Sequence, residues 1–207
     1  MTLRARRAPS RPHERTATVT RRTKETDIHL QLNLDGAGRY QVESGIAFLN
    51  HMLEIFARHG FFDLTVRATG DLEVDYHHTV EDVGLALGQA FREALGDKAG
   101  IRRFGEAAVP LDEALVTSVV DLSGRPFFVY DVKIEQAKIG SFDVELVHDF
   151  LLALTNQAAM NLHVRMASGR NPHHIVEATF KSLSRAMDLA TQRDPRLSGV
   201  LSTKGTL

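Results

Sequence analysis

One short pattern, His-His-x-x-Glu, occurs twice in this chain, at His77-His78-Glu81 and at His173-His174-Glu177. The surroundings repeat with it. Asp75-Tyr76-His77-His78-Thr79-Val80-Glu81 aligns with Asn171-Pro172-His173-His174-Ile175-Val176-Glu177, and Leu64-Thr65-Val66-Arg67 aligns with Leu162-His163-Val164-Arg165, at shifts of 96 to 98 residues. Self-similarity at one long period means that a single supersecondary unit is present in two copies. A copy of about 90 residues buries little core by itself, so the two are expected to pack as one body.

The periodicity within each copy gives its elements. Thr16–Thr23 and Asp27–Asp35 read as β-strands, the second with Ile28, Leu30, Leu32 and Leu34 alternating with polar residues. Gly45–His59 is helical and is expected to stop at Gly60. Phe62–Thr69 is a strand and His77–Leu95 a helix closed by Gly96. The second copy offers strands at 114–122 and 127–133, a helix at 143–160, a strand at 162–167 and a helix at 173–192. The chain therefore reads as an α/β protein of the α+β type. It has two tandem halves, residues 15–100 and 101–193, each a small sheet with two helices. A basic arm (1–14), read as a disordered extension, precedes them and a Pro/Gly/Ser-rich tail (194–207) follows.

Both copies of the motif fall at a helix start. Asp75 and Asn171 suit the N-cap, and Pro172 suits the first helical position. Each Glu lies three and four residues beyond its two histidines and is a neighbour of both. Adjacent histidines diverge by about 100° around a helix, so each pair is expected to serve two different metal ions, one His to each. The partial positive charge of a helix N-terminus favours neutral imidazole, the form that binds metal. Imidazole with carboxylate suits Mn, Fe, Ni, Co or Zn. A further His precedes the first motif, His51. In the second half the matching helix holds His148-Asp149, and the ungapped register sets Asp149 opposite His51. Either residue is a possible ligand. His13, His29, His59 and His163 read as structural or exposed.

Composition removes competing chemistries. With no cysteine among 207 residues, disulfides, thiolate zinc sites, iron–sulfur clusters and a cysteine nucleophile are excluded. No Trp and only 3 Tyr argue against a base-stacking platform, and the five arginines of residues 1–15 are too few for a nucleic-acid stripe. No apolar run approaches 18 residues, and no apolar core follows the basic N-terminus, so neither a membrane span nor a secretory signal is expected. The expected compartment is the cytoplasm.

The ordered set of motifs resembles the imidazoleglycerol-phosphate dehydratase family. The likeness runs from about Arg15 to Leu207. It rests on Thr23-Lys24-Glu25-Thr26, Phe48-Leu49-Asn50-His51-Met52-Leu53, His77-His78-Thr79-Val80-Glu81-Asp82, Arg102-Arg103-Phe104-Gly105, Ser123-Gly124-Arg125-Pro126, His173-His174-Ile175-Val176-Glu177-Ala178-Thr179-Phe180-Lys181 and Ser202-Thr203-Lys204-Gly205.

This resemblance implies a lyase of histidine biosynthesis that removes water from imidazole-glycerol phosphate to give imidazole-acetol phosphate. It implies two fused halves, each a four-stranded sheet with two helices on one face. It also implies assembly into 24-subunit shells, with two manganese ions per site between subunits. The implied ligands are His51, His77, His78, Glu81, His173, His174 and Glu177, with an eighth from His148 or Asp149. Relatives usually carry His, or in some cases Glu, at the Asp149 position. Glu25 is the implied acid–base group. Arg103, Arg125, Lys181, Ser202 and Lys204 match the family's phosphate and substrate contacts. The hydrogen removed is not beside a carbonyl and so is not acidic, and a ring bound as imidazolate between two cations can push electrons toward the departing hydroxyl. The family's reaction passes through such a diazafulvene-like species. Two other readings compete: a dinuclear metal-dependent phosphatase or hydrolase, whose ions would sit about 3.5–4 Å apart, and a non-catalytic metal-binding shell protein.

Overall fold

The computed structural model describes residues 15–207; the expected basic arm, 1–14, lies outside the described residues. The first half contains β1 (Thr16–Arg22), β2 (Thr26–Asn33), β3 (Tyr40–Glu43), α1 (Ala47–Gly60), β4 (Asp63–Gly70) and α2 (His77–Leu95). The second repeats the order with β5 (Phe104–Leu111), β6 (Ala114–Asp121), β7 (Phe127–Asp131), the short hairpin β8 (Lys138–Ile139) and β9 (Phe142–Asp143), α3 (Glu145–Ala158), β10 (Asn161–Ser168) and α4 (Pro172–Thr191).

Each half forms one four-stranded sheet, in the orders β1-β2-β4-β3 and β5-β6-β10-β7. In both, the last pair is parallel and the others antiparallel. The alternation in β2 turns Ile28, Leu30 and Leu32 into the core and leaves the other face wet. The helices cover only the buried faces. α2 packs on β1 and β2 and also on α3, whereas α4 packs on β5 and β6 and also on α1. Each helix contact therefore crosses from one half to the other, and one apolar cluster runs through both. The two halves form a single body, as the repeat predicts. Among the described residues no helix is long and apolar enough to cross a membrane.

Three local readings need correction. β3 and β5 escape the residue pattern. β3 is four residues long and buries only Val42, and β5 is an edge strand carrying Gly105 and Pro110. Gly60 is the last residue of α1, and the left-handed position falls on Phe61 (φ 58°). Gly60 is instead demanded by packing: a Cβ there would lie 2.5 Å from the Phe62 ring. At the start of α2 the cap residue is Tyr76, yet Asp75 Oδ1 still accepts from His77 N at 2.7 Å. Asn171 does the same for His173 N at 2.9 Å.

Candidate metal and substrate site

The cross-packing of helices brings the motif residues together in mixed sets. At the α1–α4 contact, ligand atoms of His51, His173 and Glu177 all lie within 4.8 Å of one another. His173 Nε2 is 3.2 Å and His51 Nε2 3.4 Å from the same Glu177 oxygen, Oε2. Donors held at about 2.1 Å from one ion stand at most about 4.2 Å apart. This set therefore fits a single divalent cation after small side-chain adjustment. The α2–α3 contact carries the repeat-related set, His77, Glu81 and Asp149. Asp149 Oδ2 lies 3.4 Å from His77 Nδ1, and Glu81 Oε2 lies 4.0 Å from His77 Nε2. The two carboxylates face opposite ring nitrogens here, so this second set is more open.

Burial pushes the Glu177 carboxyl up, but Lys181, with Nζ 2.7 Å from Oε1, and the neighbouring histidines more than offset it. The net shift is downward and the group is held as carboxylate. Glu81, by contrast, is about half exposed.

His78 and His174 belong to neither set. His78 Nδ1 is 3.0 Å from Asp71 Oδ2, and His174 Nδ1 is 2.8 Å from Glu113 Oε2. The rings of each pair, His77 with His78 and His173 with His174, are turned 77° and 86° from one another. Each pair thus splits its two histidines between two environments. The expectation that the helix N-terminus keeps these imidazoles neutral is reversed at His78 and His174. Their pKa values are raised, because a hydrogen-bonded carboxylate outweighs the helix end. Asp71 and Glu113 carried no signal in the repeat, since they come from non-equivalent positions of the two halves.

His148 stands apart from the metal-type sets. Its ring packs on Phe128 and Tyr130 at centroid distances of 5.4 and 5.7 Å, and Nδ1 lies 3.1 Å from Asp149. Of the remaining histidines, His29 lies beside Thr20 and Gln31 on the outer sheet face, His163 stacks on Phe127, and His59 is exposed near the end of α1.

Glu25 lies in the turn between β1 and β2, near enough for its charge to act on His78. Its backbone carbonyl accepts from Asp71 N at 3.2 Å. The turn is braced from below. Thr23 Oγ1 accepts from Glu25 N and Thr26 N, and Thr26 Oγ1 donates to the buried Asp82 at 2.5 Å. Asp82 also accepts from Arg21 Nε at 2.8 Å.

Arg103, Arg125, Ser202 and Lys204 line one open cleft of about 580 Å³ with the C-terminal tail. Arg103 is fixed by Asp121 at 2.7 and 3.1 Å and donates to the Leu201 carbonyl at 2.7 Å. Lys181 is absent from this cleft and sits on Glu177 instead. The cleft adjoins the C-terminal end of α4, since Arg103 N donates to Ala190 O. The histidines begin that helix. Seventeen residues of α-helix separate the two ends by about 25 Å, so one small molecule cannot touch both in one chain.

The family model described as imidazoleglycerol-phosphate dehydratase matches residues 44–187. The chain is 55% identical over 193 residues to the imidazoleglycerol-phosphate dehydratase of Pelobacter propionicus, covering 93% of this chain and 99% of that protein. It is 57% identical, with the same coverage, to that of Geobacter metallireducens. Among solved structures, the Pyrococcus furiosus enzyme in complex with (S)-C348 superposes with a TM-score of 0.80 at 40% identity, covering 91% of this chain and 100% of that one. The Staphylococcus aureus enzyme gives 0.79 at 34%, covering 86% and 99%. Matched along nearly its whole length in sequence and in fold, this chain belongs to the imidazoleglycerol-phosphate dehydratase family.

Proposed function

We propose that this protein is the lyase of histidine biosynthesis that dehydrates imidazole-glycerol phosphate to imidazole-acetol phosphate, with two Mn²⁺ ions per site. The observation that carries the reading is the repeated donor set. His51, His173 and Glu177 on one helix pair and His77, Glu81 and Asp149 on the other are each assembled across the two halves. His78 and His174 complete these sets in assembly, each reaching an ion held by another copy of the chain. Asp149, not His148, is the eighth ligand in this reading, because the His148 ring is committed to Phe128 and Tyr130.

Divalent ions held by these donor sets would supply Lewis-acid stabilisation of negative charge on the substrate's imidazole ring. The chain supplies the rest. Glu25, in a turn braced by Thr23 and near enough for its charge to act on His78, is the group proposed to move a proton. Arg103, Arg125, Ser202 and Lys204 form the phosphate cleft. Lys181, which the family resemblance groups with the phosphate contacts, stands on Glu177 at 2.7 Å and holds that ligand as carboxylate. The roughly 25 Å along α4 between the cleft and His173 supports a complete site that draws on more than one chain, in keeping with a 24-subunit shell. Residues 15–100 and 101–193 act as the two halves, and 194–207 as the substrate-binding tail. A soluble biosynthetic substrate fits the cytoplasm.

Incubation of the purified protein with imidazole-glycerol phosphate and Mn²⁺ tests the proposal. Appearance of the ketone product supports it. Release of inorganic phosphate would replace it with the hydrolase reading, and bound metal without turnover with the metal-binding shell. Glu25→Gln should lower turnover by on the order of 10²-fold or more while both ions stay bound.

A further inference from the structure

We infer that Asp71 and Glu113 are positioning residues that orient His78 and His174 as metal ligands, by binding Nδ1 of each ring and leaving Nε2 to face an ion. The inference rests on the proposed ligand role of these two histidines. A metal-binding imidazole commonly donates its second ring N–H to a carboxylate, which fixes tautomer and ring angle and makes the ligating nitrogen more basic. Both rings meet that requirement here. Nδ1 of His78 lies 3.0 Å from Asp71 and Nδ1 of His174 lies 2.8 Å from Glu113. Among the described residues, Nε2 of neither ring has a hydrogen-bond partner; Asp112, at 3.9 Å from His174 Nε2, is too far.

The origin of the two carboxylates argues against coincidence. Asp71 follows β4, and the matching position after β10 is Gly169, which has no side chain to offer. Glu113 comes instead from the β5–β6 turn, the counterpart of the turn that carries Glu25. Two halves that otherwise repeat have met the same need from different elements. The division has a consequence for the reaction. In the first half Asp71 holds the histidine, so Glu25 stays free to move a proton. In the second half the turn carboxylate is consumed in holding His174.

The two carboxylates are also anchored differently. Glu113 Oε1 accepts from Arg170 N at 3.1 Å and Asn171 N at 2.7 Å, which ties it to the loop entering α4. Asp71 is held through its backbone, donating N–H to the Glu25 carbonyl. His174 is therefore the more rigidly set, and Asp71 links the His78 ring to the Glu25 turn.

The test is a Mn²⁺ titration of the assembled protein, which reads binding without turnover. Wild type should bind two ions per chain. Asp71→Asn and Glu113→Gln should each weaken one of the two by 10- to 100-fold, and Asp71→Glu should recover part of the loss. Wild-type affinity in both variants would overturn the inference while leaving the ligand reading intact. Failure of the wild type to bind Mn²⁺ would overturn the ligand reading itself, and this inference with it. Should a variant not fold, a metal-loaded crystal structure of the wild type decides: Nε2 of His78 and His174 toward the ions supports the assignment, and Nδ1 toward them refutes it.

Discussion

His77 Nδ1 faces Asp149 Oδ2 across the α2–α3 contact at 3.4 Å, and His51 Nε2 faces Glu177 Oε2 across the α1–α4 contact at the same distance. Both pairs join a motif helix to its partner helix from the other half, but the motif helix supplies the histidine in the first and the carboxylate in the second. Both are built from one helix of each half, so neither half alone carries a donor set. Asp149→Ala should therefore weaken one Mn²⁺ site by on the order of a hundredfold, read by metal titration. His148→Ala should leave both sites within about twofold and cost only about 1 kcal/mol of stability, from its contacts with Phe128 and Tyr130. The reverse pattern would make His148 the ligand.

Much of this was legible in the chain. The repeated His-His-x-x-Glu fixed the helix starts, the divergence of each His pair and the two-halved body, because side-chain direction on a helix follows from 3.6 residues per turn. The ungapped register already pointed at Asp149. What stayed hidden is non-local or unrepeated. Edge strands β3 and β5 bury too few side chains to show an alternation. Asp71 and Glu113 meet their histidines through loops that do not correspond between the halves. Lys181, grouped by resemblance with the phosphate residues, is placed by the helix on Glu177, one turn back.

Packing of α2 on α3 depends on a close approach at Gly88. A Cβ there would lie 2.5 Å from the Leu154 carbonyl oxygen, which is backbone and cannot swing aside. Alanine gains about 1 kcal/mol in helix propensity over glycine, while forced overpacking costs about 1–3 kcal/mol. Overpacking should win, and Gly88→Ala should lower the denaturation midpoint. An unchanged or higher midpoint would mean that the helices separate freely.

Acid should loosen the β2–β3 connection through Asp63. Its carboxylate is held down to about 2, first by Arg39 and then by the Ala37 and Arg39 backbone N–H groups, against its burial. A depressed carboxylate pKa contributes stability that is present above the unfolded value of 3.8 and is lost as pH falls toward about 2. Arg39 is largely exposed, so solvent screening keeps the effect small. Asp63→Asn should be less stable than wild type at pH 6, and the gap should narrow steadily as pH falls below 3.8 toward about 2. A gap of the same size at pH 2.5 as at pH 6 would place the effect in packing instead of charge.

Under the proposed function, the Arg125 cleft and His173 of one chain belong to different sites. Arg125 lines the cleft that adjoins the far end of α4, where Ala190 stands about 25 Å from His173 by helical rise. The proposed substrate, with one ring, three carbons and a phosphate, cannot span that length, so under the proposed function these two residues of one chain are expected to serve different sites. His173→Ala should abolish turnover through lost metal. Arg125→Ala should raise KM by about tenfold or more through lost phosphate contact, with both ions retained. Arg125→Ala with Lys204→Ala should be nearly inactive at low substrate. When His173→Ala chains and Arg125→Ala/Lys204→Ala chains are unfolded together and refolded as a mixture, some sites inherit both intact parts. Activity at low substrate should then rise well above that of either parent. A mixture no more active than its parents would place each complete site within a single chain and refute the shared-site geometry.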